Sequence, residues 1–456
     1  MILSDTRLFG TNGIRGIYGT DLNMQLVIDI AYSLATYFEK GPILLGHDGR
    51  ETNEIISSAV NAALNSVGLD VISVGMVPTP CLQYCTKKML CSGGLMITAS
   101  HNPPEYNGIK PISPDGVEIP REDEIRVQEI FNSKNFRVGS HYGETIEETI
   151  IPKYVTDVLD LVDAEKIKRR KLKIVMDFGN GVQACVAPYV AKNLGACVIP
   201  MNGVIDGSFP ARGSEPTRDK LGGMARMVKA TGADFGVAFD GDGDRSIFCD
   251  ELGNIHWGDK TGTLLIRHLL SYKHRKSNVV CPINTSLVLE KICNEFGSNV
   301  IYTKVGSVEV SREMLKTKTL LGLEENGGFM YGFLNHVRDG CMTTALMMEM
   351  MSSCKESLSE LMFSLPTTYQ YKSKLKYANK ESIQLIVNNI TSHGSPKKIE
   401  NLDGAKIWID DETWIMIRAS GTEPLLRIYG ESTDKSLLDS KINEYTKVIN
   451  DNFKVE

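Results

Sequence analysis

A chain of 456 residues is too long for one hydrophobic core and predicts three or four domains. Hydrophobic residues make up 42% and charged residues 23%, as in ordinary globular proteins, and the longest apolar stretches fall short of a membrane span, so no membrane partner is expected. A net charge of -6 without a basic tract argues against nucleic acid as a partner, but it leaves room for a small anionic substrate in a locally basic cleft.

The N-terminal stretch MILSDTRLFG shows no basic or apolar signal region. The ten cysteines contain no CxxC spacing, Cys81 and Cys85 being the closest pair, so reduced thiols and a cytoplasmic location are expected. LFGTNGIRG, 8–16, is a Gly-rich loop carrying Arg15. PILLGHDGR then reads as a strand and turn, TNEIISSAVNAALNSVG as a helix, and LDVISVG as a second strand. In that helix Ile55, Ile56, Ala59, Val60, Ala63, Leu64 and Val67 form an apolar stripe. GGLMIT is a buried strand that breaks at Ser100, His101, Asn102 and two prolines; taken alone, this break reads as a turn.

The same strand–helix–strand pattern returns in KLKIVMDFGNG, VQACVAPYVAKNLG and ACVIPMN, and again in SNVVCPINT, SLVLEKICNEFG and SNVIYTK. Gly68, Gly195 and Gly297 each stand where a helix C-cap needs a left-handed residue. Each unit implies parallel strands covered by helices, so loops after strands are where ligands should bind. GNGVQA, 179–184, matches the dinucleotide fingerprint, but no acid ends the following strand before Asp206. A Gly-rich turn is the better reading, and an NAD-dependent dehydrogenase stands as the alternative function.

FGVAFDGDGDRSIFCDE is more informative, because Asp240, Asp242 and Asp244 alternate with Gly241 and Gly243. Carboxylates so close repel by about 4 kcal/mol per pair at 4 Å and moderate dielectric, and a cation is the natural compensation. An EF-hand loop fails here, since Arg245 occupies its required glycine position and the flanks read as strands. A hairpin offering oxygens to Mg²⁺, with coordination positions open for a phosphate, is left. GLEENGGFMYG, after the strand TLLG, could accept hydrogen bonds from sugar hydroxyls or form a surface turn. RASGTEPLLR joins two strands ahead of a C-terminal helix, and reads as a phosphate nest or a plain turn. No GxSxG elbow, GxxxxGK[ST] loop or HExxH motif occurs, which disfavours a serine hydrolase. The fold class expected is three similar mixed α/β domains plus a C-terminal α+β domain, with boundaries at 1–150, 151–253, 254–366 and 367–456.

FGTNGIRG, TASHNP, DGDGDR, E-E-N-G and RASGTEP, in that order, resemble the α-D-phosphohexomutases of the phosphoglucomutase, phosphomannomutase and phosphoglucosamine mutase type, in archaeal E-E-N-G form. The resemblance spans essentially the whole chain and implies four domains around a central cleft. It implies that Ser100 carries a phosphoryl group, with one Mg²⁺ held by Asp240, Asp242, Asp244 and that phosphate. The phosphoryl group would pass to a hexose 1- or 6-phosphate, giving a hexose 1,6-bisphosphate that turns round and returns its other phosphate. Lys110 would assist proton transfer, and Arg15 and Arg245 match the family's active-site arginines. Glu324 and Asn326 match hexose-binding positions, and Arg418, Ser420, Gly421, Thr422 and Arg427 match the grip on the distant phosphate. A phosphoserine adds up to about -2 to three aspartates, so Lys110, His101, Arg15 and Arg245 are the expected compensating cations. Gly328 and Ser307 stand where some members carry histidine, and Leu323 where a glycine is usual, which leaves the base open between Lys110, His101 and an aspartate. The partner implied is a small phosphosugar, handled by a monomer or homodimer.

Overall fold

The computed structural model describes residues 8–10, 13–376, 396–419 and 425–452. A six-stranded sheet comprises β1 (Ile14–Ile17), β2 (Ile43–His47), β3 (Val71–Met76), β4 (Gly93–Ile97), β5 (Tyr106–Ile112) and β6 (Thr145–Glu147), in the order β1-β5-β4-β2-β3-β6. A second sheet contains β7 (Lys173–Asp177), β8 (Cys197–Met201), β9 (Phe235–Phe239) and β10 (Ser246–Asp250), in the order β10-β9-β7-β8. The third is built from β11 (Val279–Pro282), β12 (Val300–Thr303), β13 (Leu321–Leu323) and β14 (Phe329–Tyr331), ordered β12-β11-β13-β14. The last holds β15 (Tyr369–Lys376), β16 (Lys398–Glu400), β17 (Ala405–Trp408), β18 (Thr413–Ala419) and β19 (Leu425–Ser432), and its order is β15-β19-β18-β17-β16.

The first three sheets share one four-strand core: β3-β2-β4-β5, β8-β7-β9-β10 and β12-β11-β13-β14. In each, a central strand pairs parallel with both neighbours and the fourth strand returns antiparallel. The expected strand–helix–strand units are the parallel pairs β2/β3, β7/β8 and β11/β12. Their intervening helices end at Gly68, Gly195 and Gly297 with φ of 81°, 79° and 64°, the left-handed conformation expected of them. Ile56, Val60, Ala63, Leu64 and Val67 face the core, whereas Ile55 is 53% exposed. Ile55 lies about 100° round the helix from Ile56, off the buried stripe.

A single apolar core joins the three repeats, and the helix Gly340–Ser353, buried along nearly its whole length, runs through it. The fourth sheet is fully antiparallel, with the helix Lys435–Asn452 on one face and its own core. It docks on the third repeat through Trp414, Met416 and Tyr429 against Ile283 and Leu287. No helix among the described residues is long and apolar enough to cross a membrane.

The dinucleotide alternative is corrected by the loop after β7. The chain enters a short 3₁₀ turn, Val182–Cys185, rather than a long helix, and Val182 N–H donates to Gly241 O at 3.2 Å. Gln183 Nε2 reaches Gly243 O at 2.9 Å, and a Cβ at Gly181 would lie 3.0 Å from the carbonyls of Asp240 and Gly241. The face that a pyrophosphate would need is packed against the acidic hairpin.

Candidate active site

Ser100 follows β4, fully buried, at φ 52°. Its N–H donates to Thr98 Oγ1 at 2.8 Å, and its hydroxyl lies 3.3 Å from Asp240 Oδ2 and 3.4 Å from His101 Nδ1. Left-handed backbone at a serine is sparsely populated and persists only where the surroundings enforce it. Here it aims the hydroxyl across to the β9–β10 hairpin rather than back along its own sheet.

That hairpin gathers Asp240, Asp242 and Asp244, all buried, with ligand oxygens within 4.8 Å of one another. Two supports come from other repeats: Thr79 donates through N–H to Asp242 O at 3.0 Å and through its hydroxyl to Asp242 Oδ2 at 2.7 Å. The N–H of Gly340, opening the central helix, reaches Gly243 O at 3.3 Å. Thr79 opens the helix Thr79–Lys88, so two helix N-termini face the acidic loop, where partial positive charge is favourable. Asp242 Oδ1 and Asp244 Oδ1 are buried without a hydrogen-bond partner. Unpaired carboxylate oxygens in the interior are costly, and three hard oxygen donors around one point suit Mg²⁺. The residues present thus fit the metal that the sequence implies.

Charge balance explains the protonation of the group. Burial, then Asp244 and Asp242, push the Asp240 carboxyl well above the usual range. Burial acts the same way on Asp242, but Lys110, the Thr79 hydrogen bond, Arg15 and Arg338 outweigh it and hold that carboxyl below the usual range. Lys110 on β5 lies 3.2 Å from Asp242, 3.6 Å from Asp244 and 3.8 Å from Glu118, and against burial these acids raise its pKa. Arg15 on β1 bonds Asn102 Oδ1 at 2.8 Å, leaves Nη2 buried without a partner, and is lowered by burial to about 10. Arg245 stands 3.7 Å from Asp240 and 3.9 Å from Asp244, and reaches Glu215 at 3.3 Å.

The expected cationic role of His101 is corrected. Burial, together with Arg245, Arg15 and Arg338, holds its imidazole well below its ordinary pKa, and Arg245 Nη2 lies 2.9 Å from its Nδ1. These surroundings disfavour a charged imidazole at His101, and Arg338, a residue outside every motif, stands in the site as a further cation. Arg338 bonds Asp244 and also Glu324 Oε2 at 3.1 Å, so it joins the acidic hairpin to the β13–β14 loop. Burial raises the pKa of Glu324 even with Arg338 beside it. Asn326 closes its own loop by accepting the N–H of Gly328 at 3.1 Å.

On the fourth sheet, Arg418 and Arg427 face each other on β18 and β19, and Lys374 faces Arg427 from β15. Arg418 Nε bonds Asp403 at 2.6 Å, and Asp403 also accepts the N–H of Val305 at 3.0 Å. Ser420, Gly421 and Thr422 lie outside the described residues. Beside this row, Lys372 pairs with Glu325, the neighbour of Glu324, and packs 4.5 Å from the Trp257 ring.

Sequence reasoning missed Arg50, Thr79, Arg212, Ser214 and Arg338. Arg50 had a signal, since HDGR follows a strand just as the Ser100 stretch does. Arg212 bonds Asp177 at 2.8 Å and Phe239 O at 2.6 Å, holding the approach to the acids.

Four family models match the chain: phosphoglucomutase/phosphomannomutase alpha/beta/alpha domain I at residues 6–138, domain II at 152–253, domain III at 257–369, and the C-terminal domain at 378–444. The phosphoglucosamine/phosphogalactosamine mutase of Sulfurisphaera tokodaii is 39% identical, over 97% of this chain and 99% of that protein. The phosphoglucomutase/phosphomannomutase of Thermococcus kodakarensis is also 39% identical, over 97% of each chain. In fold, a phosphoglucomutase/phosphomannomutase family protein of Burkholderia thailandensis superposes with a TM-score of 0.87 over 100% of both chains, at 23% identity.

Proposed function

The chain belongs to the phosphoglucomutase/phosphomannomutase family and is an intramolecular phosphotransferase, and from that premise we propose that it interconverts hexose 1-phosphates and 6-phosphates through a phosphoserine at Ser100 and a hexose 1,6-bisphosphate. One observation carries this reading: the Ser100 hydroxyl stands 3.3 Å from Asp240, in a buried cluster of acids with two unpartnered oxygens. Mg²⁺, held by Asp240, Asp242, Asp244 and the phosphoserine, would draw charge from the transferring phosphoryl group.

A sugar hydroxyl attacks the phosphorus of phosphoserine; its new O–P bond forms as the bond to Ser100 Oγ breaks. The hydroxyl passes its proton to a base, His101 or one of the aspartates, and the serine oxygen regains one from another group. Lys110, held protonated by its acidic neighbours, carries the proton that the departing serine oxygen needs. Arg15, whose Nη2 has no protein partner, and Arg245 stabilise the charge on the phosphoryl oxygens. The bisphosphate then turns, and Ser100 Oγ attacks its other phosphate. Glu324 and Asn326 hold the sugar, while Arg418, Ser420, Gly421, Thr422 and Arg427 hold the phosphate that is not reacting. Lys374, Arg427 and Arg418 stand opposite one another across β15, β19 and β18, with Asp403 bonded to Arg418, and this basic row supports an anion there.

Contacts to the C3 and C4 hydroxyls do not distinguish substrates that differ at C2, so broad activity on glucose, mannose and glucosamine phosphates is the expectation. A coupled assay of the three 1-phosphates, with and without a 1,6-bisphosphate activator, tests substrate range and activation. Peptide mapping of the active enzyme should find phosphate on Ser100; phosphate found only elsewhere would overturn the mechanism.

A further inference from the structure

We propose that Arg50 and Ser214 are positioning residues for phosphoryl transfer, holding the Ser100 loop by its carbonyl oxygens and turning them away from the transferring group. The proposal rests on Ser100 as the phosphate carrier. The Arg50 side chain is wholly buried, and its five N–H donors are all engaged. Nε lies 3.3 Å from Asp48 Oδ2. Nη1 donates to Pro103 O and Tyr106 O at 2.7 Å each, and Nη2 donates to Ser100 O at 2.8 Å and Asn102 O at 2.7 Å. Ser214, from the second repeat, reaches His101 O at 2.7 Å and Asn102 O at 2.8 Å. Five carbonyls of the segment 100–106 are therefore held by two side chains.

A buried ion pair that merely stabilised the first repeat would need only the contact between Arg50 and Asp48. Instead Arg50 directs four of its five donors to the loop. The second repeat closes over it: Phe209 covers the guanidinium at 5.1 Å, and a Cβ at Gly207 would lie 2.5 Å from Glu51 N. The electrostatic reason is direct. A phosphoserine approaches two negative charges, and carbonyl oxygens aimed at it would repel it. Drawing those oxygens onto a cation also holds Ser100 at φ 52°, a conformation that needs outside restraint. Lysine keeps the charge of Arg50 but has three donors and no planar fork, so it cannot make these contacts.

Arg50→Lys and Ser214→Ala test this beside wild type and Ser100→Ala. Each protein is measured for Tm, for KM and kcat, and for the rate at which Ser100 is phosphorylated by glucose 1,6-bisphosphate. Arg50→Lys should lose about 100-fold in kcat and in the phosphorylation rate, with KM within about threefold of wild type. Ser214→Ala, which removes no charge, should lose about 10-fold in both. Wild-type kcat and phosphorylation rate in folded Arg50→Lys would overturn the proposal, as would a loss that merely tracks the unfolded fraction. If Arg50→Lys does not fold, Ser214→Ala decides, and an unchanged rate there overturns it. Full activity in Ser100→Ala defeats the phosphoserine reading itself. An inactive Ser100→Ala beside a fully active Arg50→Lys defeats only the positioning.

Discussion

Ser100 is a small side chain whose surroundings contribute most of its chemistry, so replacing it should separate activity from stability. Ser100→Ala removes one hydroxyl and its 3.3 Å contact with Asp240. Mutase activity should be nearly abolished, while Tm shifts by no more than a few degrees. Parallel assays and melting curves check this, and an active alanine variant would refute it. Asp242→Asn should weaken activity and Mg²⁺ dependence together, since it exchanges a carboxylate whose Oδ1 has no protein partner for a neutral amide. Metal titration of activity measures it; unchanged activity in EDTA after dialysis would exclude the metal role. Arg338→Met is a different case, because it leaves Glu324 buried without its cation and takes from Asp244 its shortest ion pair, with Lys110 and Arg245 remaining at 3.6 and 3.9 Å. A loss of about 3–5 kcal/mol in denaturant unfolding is expected. The acids and the serine were legible in the chain because alternation and abrupt strand endings are local patterns. Arg338 was not, since nothing near it in sequence marks it, and its partners lie 94 and 14 positions away.

Among elements, the informative fact is the equivalence of three loops. The Ser100 loop joins β4 to β5, the acidic hairpin joins β9 to β10, and the E-E-N-G loop joins β13 to β14. Each therefore links the third and fourth strands of the same four-strand core. One architecture, repeated, supplies the proposed nucleophile, metal site and sugar site from corresponding positions. Their close approach is set by backbone as much as by side chains. A Cβ at Gly241 would lie 2.7 Å from Ser100 O, inside any real contact. Gly241→Ala should therefore displace the serine loop and lower kcat by about 100-fold, with a stability loss of about 1–3 kcal/mol. Kinetics with a melting curve decide it, and wild-type kcat would show that the loop yields without consequence. The helices and their glycine caps were readable in the sequence. The equivalence of the loops was not, because β13 and β14 are three residues each and leave little periodic signal.

Across the whole molecule, the fourth sheet is joined to the rest by polar contacts inserted into an apolar seam. Lys406 is 1% exposed, donates to Ile283 O at 2.8 Å, and lies 4.2 Å from the Trp414 ring. Burial lowers its pKa from 10.5 to about 8. Between those values the unfolded chain binds the extra proton, so this group's contribution to stability rises with pH through the window. Below about 8 it is a constant penalty, on the order of 3 kcal/mol. Lys406→Met should lack that rise: its stability advantage over wild type should be largest below pH 8 and shrink towards pH 10.5. Unfolding curves of both proteins across that range check it; parallel curves would place the titration elsewhere. The same sheet carries the proposed phosphate clamp. Arg418→Ala removes a charge-assisted contact of about 1.5–3 kcal/mol, or about 10- to 150-fold in kcat/KM, similarly in both directions of the reaction. It should also increase escape of free bisphosphate. Wild-type kinetics without added release would reduce the loop to a turn.

By itself the sequence determined the strand–helix–strand repeats, the left-handed glycine caps, the acid-bearing hairpin and the strand that ends at Ser100. All of these follow from steric and hydrophobic patterns within one or two dozen residues, where backbone preference and spacing suffice. Only the tertiary structure decided that burial and nearby arginines hold His101 well below its ordinary pKa, that Arg338 bridges two loops, that the dinucleotide-like loop is packed shut, and that Arg50 gathers the carbonyls of the serine loop. These depend on burial and on charges brought together from separate repeats. Coulomb energies follow distance in space and local dielectric, and neither is written in the order of the residues.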